Sequence, residues 1–377
     1  MEGMGGSQMK DLFQGVYAGR RVLVTGHTGF KGSWLCLWLQ ELGATVAGFS
    51  LDPPSEPSHW DLLGLDMRDG RGDIRDEVLF KKFVKDFQPE IVFHLAAQPI
   101  VRESYRKPLE TFSSNVMGSL MVYDACRECD SVRAVVSITT DKVYENREWC
   151  WGYRENDPLG GHDPYSASKA CADIATTSWR RSFWPPLDYG KTHHVLMATA
   201  RAGNVIGGGD WALDRLVPDL MRATMTGREA IIRNPRSTRP WEHVLEPLSG
   251  YLLLGEHLWE GHTDMAKAWN FGPASEGVCD VGTVVRLLRE SLPELQCCVE
   301  EQSSAPHEAG LLTLDCSLAH RELQWFPVWD GTPCFARTAE WYRAFLDGGR
   351  VISLEQLKSY VEEARRGQRI WTGRVPL

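Results

Sequence analysis

The segment from Arg21 to Leu42 constrains the fold of this chain more than any other stretch. An apolar run, Arg21 to Thr25, is followed by a glycine-rich turn, Gly26 to Gly32, and then by a helical pattern over Ser33 to Leu42. A strand, a glycine turn and a helix in this order are the context that a dinucleotide-binding loop needs. The glycines let the backbone approach a pyrophosphate closely, and the helix amino terminus offers unpaired N–H groups and a positive dipole. This segment therefore predicts a nucleotide-binding α/β fold.

Further apolar runs repeat the strand pattern, with helical patterns between them. We predict strands over Ala44 to Phe49, Pro89 to Ala97, Ala134 to Ile138 and Val195 to Ala200. Such alternation through about residue 200 is the signature of a parallel, doubly wound sheet. The predicted fold class is therefore α/β, a Rossmann-type sheet with a smaller mixed α/β C-terminal lobe that binds the substrate.

Changes in composition and in hydrophobic periodicity along the chain give the expected domain boundaries. Residues 1–19 show no clear period and are expected to form a flexible N-terminal extension. The predicted dinucleotide-binding domain covers residues 20–200, with a return segment near 239–260, and the substrate lobe covers 201–238 and 261–348. Residues 349–377 are expected to be a C-terminal helix and tail. Within the lobe, the glycine-rich stretch Arg201 to Trp211 and the stretch Asn234 to Trp241 are both predicted to be loops.

Composition argues against several classes of partner. The net charge of -9 argues against a nucleic-acid-binding surface, because nucleic acids are themselves negatively charged. No apolar run approaches the roughly 18–20 residues of a membrane span, and the first residues lack a signal peptide's apolar centre, so we expect a cytoplasmic protein. Cys126 and Cys129 form a Cys-x-x-Cys pair, but no second pair completes a zinc site. We expect reduced thiols that serve packing, and no metal.

The residues that carry chemistry lie between Thr140 and Lys169. Thr140, Asp141 and Lys142 follow a predicted buried strand, at the end where open α/β sheets bind their ligands. Asp163 and Pro164 indicate a helix start, which places Tyr165 and Lys169 on one helix face. An ammonium beside a phenol favours the phenolate, which can take a proton from an alcohol. The alternative is a surface Tyr and Lys on an ordinary helix, because this spacing is common by chance.

The end of the second predicted strand indicates which dinucleotide is bound. Folds that prefer NAD usually place an acidic residue there to hold the ribose, but Ser50 occupies this position. Asp52 is near enough to reach the ribose, and no Arg or Lys is nearby to hold a 2′-phosphate, so NAD is favoured over NADP. Asp73 and Ile74 resemble an adenine-contacting pair at the end of a third strand, although a helix cap explains Asp73 equally well.

Several motifs together resemble one family. They are Thr-Gly-His-Thr-Gly-Phe-Lys-Gly (25–32), His-Leu-Ala-Ala-Gln-Pro (94–99), Thr-Asp-Lys (140–142), Tyr-Ser-Ala-Ser-Lys (165–169), Arg-Ala-Gly-Asn-Val-Ile-Gly-Gly-Gly-Asp-Trp (201–211) and Arg-Pro-Trp-Glu-His-Val (239–244). This set is similar to that of the CDP-glucose 4,6-dehydratases, which belong to the NAD-dependent sugar-nucleotide dehydratases of the extended short-chain dehydrogenase/reductase superfamily. The likeness runs from about residue 20 to about residue 345.

The resemblance implies a lyase that holds NAD tightly and uses it as both hydride acceptor and hydride donor. It implies that Tyr165, with Thr140 and Lys169, removes the proton of the sugar 4-hydroxyl during oxidation at C4. Asp141 matches the family's general acid, which protonates the departing 6-hydroxyl. Lys142 stands where related dTDP-glucose enzymes have a glutamate base, and only a neutral lysine can act as that base.

The motifs and the resemblance together give the remaining binding residues. Those expected to bind the cofactor are Gly26, Thr28, Gly29, Phe30, Lys31, Gly32, Ser50, Asp52, Asp73, Ile74, Leu95, Ala96, Ala97, Tyr165 and Lys169. Those expected to bind the nucleotide sugar are Gln98, Arg102, Asn204, Arg215, Arg239 and His307. For Arg239 the alternative is a solvated loop charge. The resemblance also places the helices after Asn115 and Tyr165 in the interface of a homodimer or higher homo-oligomer.

Three functions remain to be compared. The first is a 4,6-dehydratase acting on CDP-glucose, or on a GDP-, dTDP- or UDP-linked sugar, since the base that is recognised rests on the resemblance alone. The second is a 4-epimerase or decarboxylase on the same fold, which needs the Tyr, Thr and Lys set but no acid and base beside it. The third is a nicotinamide-binding module without turnover. The presence of Asp141 and Lys142 favours dehydration.

Overall fold

The computed structural model describes residues 9–232, 234–274, 277–300 and 310–373. Within these ranges the strands form three sheets. The strands are β1 (Arg21–Thr25), β2 (Thr45–Ser50), β3 (Arg68–Arg71), β4 (Ile91–His94), β5 (Ala134–Ile138), β6 (Leu196–Ala202), β7 (Asn204–Ile206), β8 (Ala230–Ile232), β9 (Thr238–His243), β10 (Ala268–Phe271), β11 (Val278–Asp280) and β12 (Cys297–Val299).

Helices separate most of these strands. The α-helices are α1 (Phe30–Glu41), α2 (His59–Leu63), α3 (Glu77–Phe87), α4 (Val101–Arg106), α5 (Pro108–Phe112), α6 (Gly118–Arg127), α7 (Pro164–Ser182), α8 (Leu216–Met225), α9 (Leu245–Trp259), α10 (Val281–Ser291), α11 (Thr332–Gly348) and α12 (Ser353–Arg366). Short 3-10 helices cover Leu12–Gly15, Asp141–Val143, Pro186–Asp188, Thr263–Met265 and Ile370–Thr372, and π-helical turns cover Ser113–Met117 and Ala319–Leu323.

The central sheet has seven parallel strands in the order β10-β6-β5-β4-β1-β2-β3. The chain runs outward from β1 through β2 and β3, and then crosses to the other side of β1 at β4. Ligands of open α/β sheets bind at such a reversal, outside the carboxyl ends of the strands. The predicted doubly wound α/β class is confirmed.

Both faces of this sheet are covered, which explains its apolar strands. In β1, Val22 and Val24 belong to the core on one face, together with Trp34 of α1. Leu23 belongs to the core on the opposite face, together with Phe80 of α3. A parallel sheet buried on both sides needs strands that are apolar at every position rather than at alternate ones.

The smaller lobe is mixed, as predicted, but two stretches in it were predicted wrongly. Arg201 and Ala202 extend β6, and residues 204–206 form β7, so the glycine-rich stretch is not entirely a loop. The stretch from Asn234 to Trp241 contains most of β9, which pairs in parallel with β7 and antiparallel with β11. These strands are short and are held by pairing with distant segments, which local composition does not reveal.

The expected domain boundaries also need correction. Residues 268–271, assigned to the lobe, form β10 at one end of the central sheet. The first eight residues lie outside the described residues, but residues 9–19 are not a loose extension, because Leu12, Phe13 and Tyr17 are buried in the core. Trp371, assigned to the tail, stacks on Phe13 with ring centroids 5.3 Å apart. Both chain ends therefore pack together on α1.

In the described part of the chain, no helix has the length and apolar character required to cross a membrane.

We predict that Phe13→Ala lowers the free energy of unfolding by about 3–5 kcal/mol, the usual cost of removing a buried aromatic ring. Phe13 is fully buried and also contacts Tyr17 and Trp38 edge-on. Urea denaturation followed by tryptophan fluorescence measures the change. Leu187→Ala is the control, since Leu187 is 87% exposed and should change the stability little. A loss below about 1 kcal/mol for Phe13→Ala would show that this segment is not part of the core.

Candidate active site

The catalytic candidates from β5 lie in a short turn directly after the strand. The Thr140 hydroxyl caps the 3-10 helix Asp141–Val143 and donates a hydrogen bond to Oδ1 of Asp141 at 2.9 Å. Asp141 is 1% exposed, and its Oδ2 has no hydrogen-bond partner in the described part of the chain. Burial raises the pKa of Asp141 above its usual value, because desolvation disfavours the carboxylate. The side chain is therefore suited to hold a proton.

Helix α7 brings the phenol to the same place. Asp163 accepts the Ser166 N–H at its amino terminus and Pro164 occupies the first turn, as predicted. The Lys169 ammonium donates a hydrogen bond to the carbonyl of Ile138, the last residue of β5, at 3.0 Å. This bond fixes α7 against the strand that carries Thr140 and Asp141. Tyr165 thereby lines one cleft with both of them.

The protonation of the Tyr–Lys pair differs from the expectation. Burial raises the pKa of Tyr165 to about 12, while a hydrogen bond with Thr140 and the Arg215 guanidinium oppose this rise. The Lys169 ammonium is directed to the Ile138 carbonyl, and burial has the largest effect on the pKa of Tyr165. Burial, and then the Lys31 ammonium, lower the pKa of Lys169 to about 8. The lowered phenol pKa predicted from the sequence is thus not found in this arrangement.

The cleft has a volume of about 310 Å³ and is rich in charge. Its lining includes Lys142 and four of the predicted substrate-binding residues, which are Arg102, Asn204, Arg215 and Arg239. Nη1 of Arg215 lies 3.0 Å from Oδ2 of Asp210, and Nε of Arg102 lies 3.9 Å from Oδ1 of Asp214. Arg239 is 7% exposed and donates to the Thr238 carbonyl at 2.9 Å, so it is not a solvated loop charge. Guanidinium groups at such positions are suited to phosphate oxygens.

Gln98, also predicted to bind the substrate, is not in this lining. The amide of Gln98 donates to Thr111 at 2.8 Å and accepts the Ile100 N–H, so it orders its own loop. The backbone N–H of Gln98 donates to Asn115, whose Nδ2 donates to Ser168 on α7 at 2.9 Å. Gln98 therefore supports the helix that carries Tyr165. His307 lies outside the described residues.

The turn between β1 and α1 fits the diphosphate of a dinucleotide. Gly26 has a φ of +77°, and a Cβ there would lie 2.8 Å from the backbone of Ala96. A Cβ at Gly32 would lie 2.2 Å from the Gly26 carbonyl oxygen. Gly29 begins α1 without a side-chain cap, so backbone N–H groups of the first turn remain available for an anion.

The residues expected to bind the adenosine half of the cofactor differ in their exposure and in their contacts. Thr28 and Ser50 share a hydrogen bond of 2.8 Å, and both are buried. The Asp52 side chain is 91% exposed, while the Asp73 carboxylate accepts hydrogen bonds from Arg75. Ile74 is 7% exposed. Leu95, Ala96 and Ala97 follow β4, and the Leu95 N–H donates to the Thr25 carbonyl at 3.1 Å.

The sequence reasoning missed a cation at this end. Arg71 ends β3 opposite Ser50, and its Nη1 lies 3.8 Å from Asp52. The prediction that no Arg or Lys lies near Asp52 is therefore wrong. Arg71 is distant in the sequence, but the pairing of β3 with β2 brings it close to Asp52. Nη2 of Arg71 donates to Asp69 at 2.8 Å, so part of its charge is already compensated.

Two charged groups of the cleft region also went unrecognised. Lys31 was predicted to bind only the cofactor, but it lines the cleft with Asp141 and Tyr165, and burial lowers its pKa. Glu242 is 2% exposed, accepts the Gly203 N–H at 3.2 Å and interacts with the Lys31 charge. Glu242 belongs to the motif at 239–244, and its carboxyl group between Trp241 and His243 was the available signal.

Comparisons with known proteins show the family and the fold. A family model described as the NAD dependent epimerase/dehydratase family matches residues 22–271. The chain is 46% identical over 354 residues to a CDP-glucose 4,6-dehydratase of Salmonella typhimurium, covering 93% of this chain and 98% of that protein. Two solved structures share the fold. An epimerase from Methanothermobacter thermautotrophicus has a TM-score of 0.77 at 21% identity, covering 91% of this chain and 96% of that one. A dTDP-glucose 4,6-dehydratase from Bacillus anthracis, in complex with NAD, has a TM-score of 0.69 at 18% identity, covering 87% and 98%.

We predict that Gly32→Ala weakens NADH binding at least tenfold, because the added methyl group meets the Gly26 carbonyl oxygen. Titration of the purified protein with NADH, followed by fluorescence, measures the affinity. Gly348→Ala is the matched control, since nothing lies within 4 Å of a Cβ at that helical glycine. Circular dichroism shows whether each variant is folded. Wild-type affinity in folded Gly32→Ala would contradict the assignment of this turn.

Proposed function

This chain belongs to the NAD dependent epimerase/dehydratase family, and we propose that it removes water from CDP-glucose to form CDP-4-keto-6-deoxyglucose. The observation that carries the proposal is a buried Asp141, whose pKa is raised by burial, in the same cleft as Tyr165, in a chain similar over nearly its whole length to a CDP-glucose 4,6-dehydratase. It is a lyase with NAD as cofactor. NAD, when bound, supplies the hydride acceptor for C4 and the hydride donor for C6.

The first step assigned to the protein is proton removal from the sugar 4-hydroxyl by Tyr165. Its deprotonation is favoured by the Arg215 guanidinium and by the hydrogen bond with Thr140, both of which act against burial. The Lys169 bond to the Ile138 carbonyl holds the helix that presents the phenol. The step becomes easier as pH rises, because a base with a raised pKa must lose its own proton first.

The second step is the elimination of water across C5 and C6. A ketone at C4 acidifies the C5 hydrogen, which Lys142 is positioned to accept if it is neutral. Asp141 gives its proton to the departing 6-hydroxyl, and its raised pKa keeps that proton available above the usual range of an aspartic acid. Proton donation by Asp141 is favoured by lower pH, whereas proton removal by Tyr165 is favoured by higher pH, so the two together predict a bell-shaped pH profile.

Dehydration explains the presence of Asp141 in the cleft, whereas epimerisation does not. A 4-epimerase needs proton transfer at the 4-hydroxyl but has no use for a second acid. Burial of Asp141 costs folding free energy, because its Oδ2 has no hydrogen-bond partner in the described part of the chain. A group held in this way is better explained by a proton transfer that dehydration requires.

The nucleotide diphosphate is assigned to the cationic side of the cleft. Arg215 and Arg239 carry the charge, and Asn204 lies beside them in the lining. Guanidinium pairs recognise phosphate oxygens through parallel hydrogen bonds. Recognition of cytosine follows here from similarity, and no residue is assigned to it.

A homodimer is the proposed assembly. Helices α4, α5 and α7 and the π-helical turn Ser113–Met117 carry large apolar side chains that are exposed in one chain. They are Tyr105, Leu109, Phe112, Met117 and Ile174. Such a surface on paired helices supports association with a second copy.

The proposed location is the cytoplasm. All ten cysteines are free thiols, and five of them are buried. Free thiols persist in reducing compartments, whereas oxidising ones favour disulfides.

We predict that the purified protein with NAD releases water from CDP-glucose faster than from dTDP-, GDP- or UDP-glucose. Mass spectrometry of the sugar nucleotide measures the loss of one water molecule. Tyr165→Phe should reduce kcat by about 10²–10⁴, the usual contribution of a positioned general base. No turnover on any of the four substrates would remove the assignment, and faster turnover on another sugar nucleotide would change the substrate.

We predict that Asp141→Asn still oxidises C4 but does not release water, because an amide cannot supply the proton. Mass spectrometry with carbonyl trapping distinguishes a 4-keto sugar that keeps its 6-hydroxyl from the dehydrated product. Asp214→Asn is the control, a carboxylate of the same lining that the mechanism does not use. Normal water loss by Asp141→Asn would mean that another group is the acid.

We predict that Leu109→Glu, at a side chain 85% exposed in one chain, shifts the protein from dimer to monomer. Light scattering after size-exclusion chromatography measures the mass. Leu187→Glu, equally exposed but outside helices α4 to α7, should leave the dimer intact. A wild-type monomer would refute the proposed assembly.

A further inference from the structure

The proposed dehydration, on which this inference rests, requires one proton to move within the site in every cycle. Oxidation at C4 places the proton of the 4-hydroxyl on Tyr165, while elimination takes a proton from Asp141. The C5 proton needs no such transfer, because C5 regains a proton when the hydride reaches C6. Tyr165 therefore ends each cycle with one proton more and Asp141 with one proton fewer, so a proton must pass from the phenol to the carboxylate.

The Thr140 hydroxyl lies between these two groups. It donates a hydrogen bond to Oδ1 of Asp141 at 2.9 Å, and it also shares a hydrogen bond with the Tyr165 phenol. A threonine hydroxyl has one hydrogen to donate and two lone pairs. While its hydrogen is directed to Asp141, its oxygen can only accept from the phenol. The two hydrogen bonds then point the same way, from Tyr165 to Asp141.

The three side chains are shielded from solvent. Thr140 is 8% exposed, Asp141 is 1% exposed and Tyr165 is 9% exposed. Oδ2 of Asp141 is buried and has no hydrogen-bond partner in the part of the chain that the structure describes. Protein atoms rather than bulk water therefore surround the carboxyl group, and a hydroxyl in contact with both ends gives the direct route for the proton.

We propose that Thr140 is a proton relay, through which Tyr165 passes its own proton to Asp141 while it receives the proton of the sugar 4-hydroxyl. In this step the O–H bonds of the 4-hydroxyl, Tyr165 and Thr140 break, and new O–H bonds form on Tyr165, Thr140 and Asp141. The hydride leaves C4 for the cofactor at the same time. Asp141 then gives its proton to the departing 6-hydroxyl, which leaves as water. Tyr165, Thr140 and Asp141 thereby return to the protonation states in which they began.

The relay removes the obstacle that burial sets to the start of oxidation. Burial raises the pKa of Tyr165 to about 12, so at neutral pH the phenol holds its proton. Transfer of that proton to a carboxylate is unfavourable in the resting site, because a carboxylic acid is the stronger acid. Loss of hydride from C4, however, turns the alcohol into a protonated ketone, which is a far stronger acid than a carboxylic acid. The carboxylate of Asp141 is then a sufficient final acceptor.

The charges around the relay favour this resting state. The cations that favour the carboxylate form of Asp141, against its burial, are Lys142, Arg239 and Lys31. The charged groups that act on Tyr165 are Arg215, which favours its phenolate, and Asp141 and Asp163, which disfavour it. A phenol with a carboxylate contains as many protons as a phenolate with a carboxylic acid. The relay therefore keeps the bell-shaped pH profile of the whole reaction.

The test measures C4 oxidation alone, in protein loaded with NAD and mixed with CDP-6-deoxyglucose. This sugar has no 6-hydroxyl to lose, so the hydride stays on the cofactor and the absorbance of NADH reports the rate. Thr140→Val and Asp141→Asn should each be slower than wild type by at least about 10² near pH 7, because their phenol must lose its proton to solvent. The ratio of each variant's rate to that of wild type should rise about tenfold per pH unit up to about pH 10.

Thr140→Ser is the conservative control, since it keeps the hydroxyl, and its rate relative to wild type should not depend on pH. Asp214→Asn removes a carboxylate of the same lining that is outside the relay, and its relative rate should be equally independent of pH. Thr140→Val also removes the cap of the 3-10 helix Asp141–Val143. If that variant does not fold, Asp141→Asn decides the question, because it leaves the cap in place.

A threonine that only positions the phenol would slow oxidation by the same factor at every pH. A relative rate that is independent of pH in folded Thr140→Val or Asp141→Asn would therefore overturn the relay, as would a Thr140→Ser variant that behaves like Thr140→Val. In either case, dehydration of CDP-glucose by wild type would leave the proposed function standing. If wild type neither dehydrates CDP-glucose nor reduces its cofactor with the 6-deoxy sugar, the proposed function fails and the relay fails with it.

Discussion

The hydrogen bond from Lys169 to the Ile138 carbonyl fixes the geometry on which the site depends. It joins α7, which presents Tyr165, to the end of β5, from which Thr140 and Asp141 emerge. A second connection, the Asp173–Arg201 ion pair, joins α7 to β6. The Asp173 and Arg201 side chains are at most 3% exposed. Neither element alone would bring a phenol and a carboxylic acid into one cleft. The parallel sheet supplies the strand ends, and these buried polar contacts set the helix against them.

Burial of the cleft affects its acids and bases in one direction, toward their neutral forms. It raises the pKa of Asp141 and of Tyr165, and it lowers the pKa of Lys31 and Lys169. A neutral Asp141 is the form that can give a proton to a leaving hydroxyl. The neutral phenol, by contrast, must lose its proton before it can act, which Arg215 and Thr140 assist. The same burial thus favours elimination and opposes the start of oxidation.

Local patterns predicted the regular part of the fold well. β1 and β5 were placed at their observed bounds, because an apolar run is visible within a few residues. β7 and β9 were missed because each depends on a partner far along the chain. The burial of Phe13 against Trp371 joins residues from opposite ends of the sequence, which no local pattern indicates.

The sequence predicted several of the residues that line the cleft, but not their charge interactions or pKa shifts. The motifs named Asp141, Tyr165 and Arg239, which line one cleft. They did not show that Lys31 faces that cleft or that Arg71 lies beside Asp52, since both facts depend on how strands and helices are arranged in space. The pKa of Tyr165 was predicted in the wrong direction because spacing on a helix gives proximity, whereas burial decides the balance.

The most direct test of the central claim is a crystal structure with NAD and CDP-glucose bound. The account predicts that the Tyr165 hydroxyl lies within about 2.6–3.2 Å of the sugar 4-hydroxyl, the range required for direct proton transfer. It also predicts that the Asp141 carboxyl group faces the 6-hydroxyl of the same sugar. A hexose bound outside this cleft, or one that turns its 4- and 6-hydroxyls away from both side chains, would contradict it.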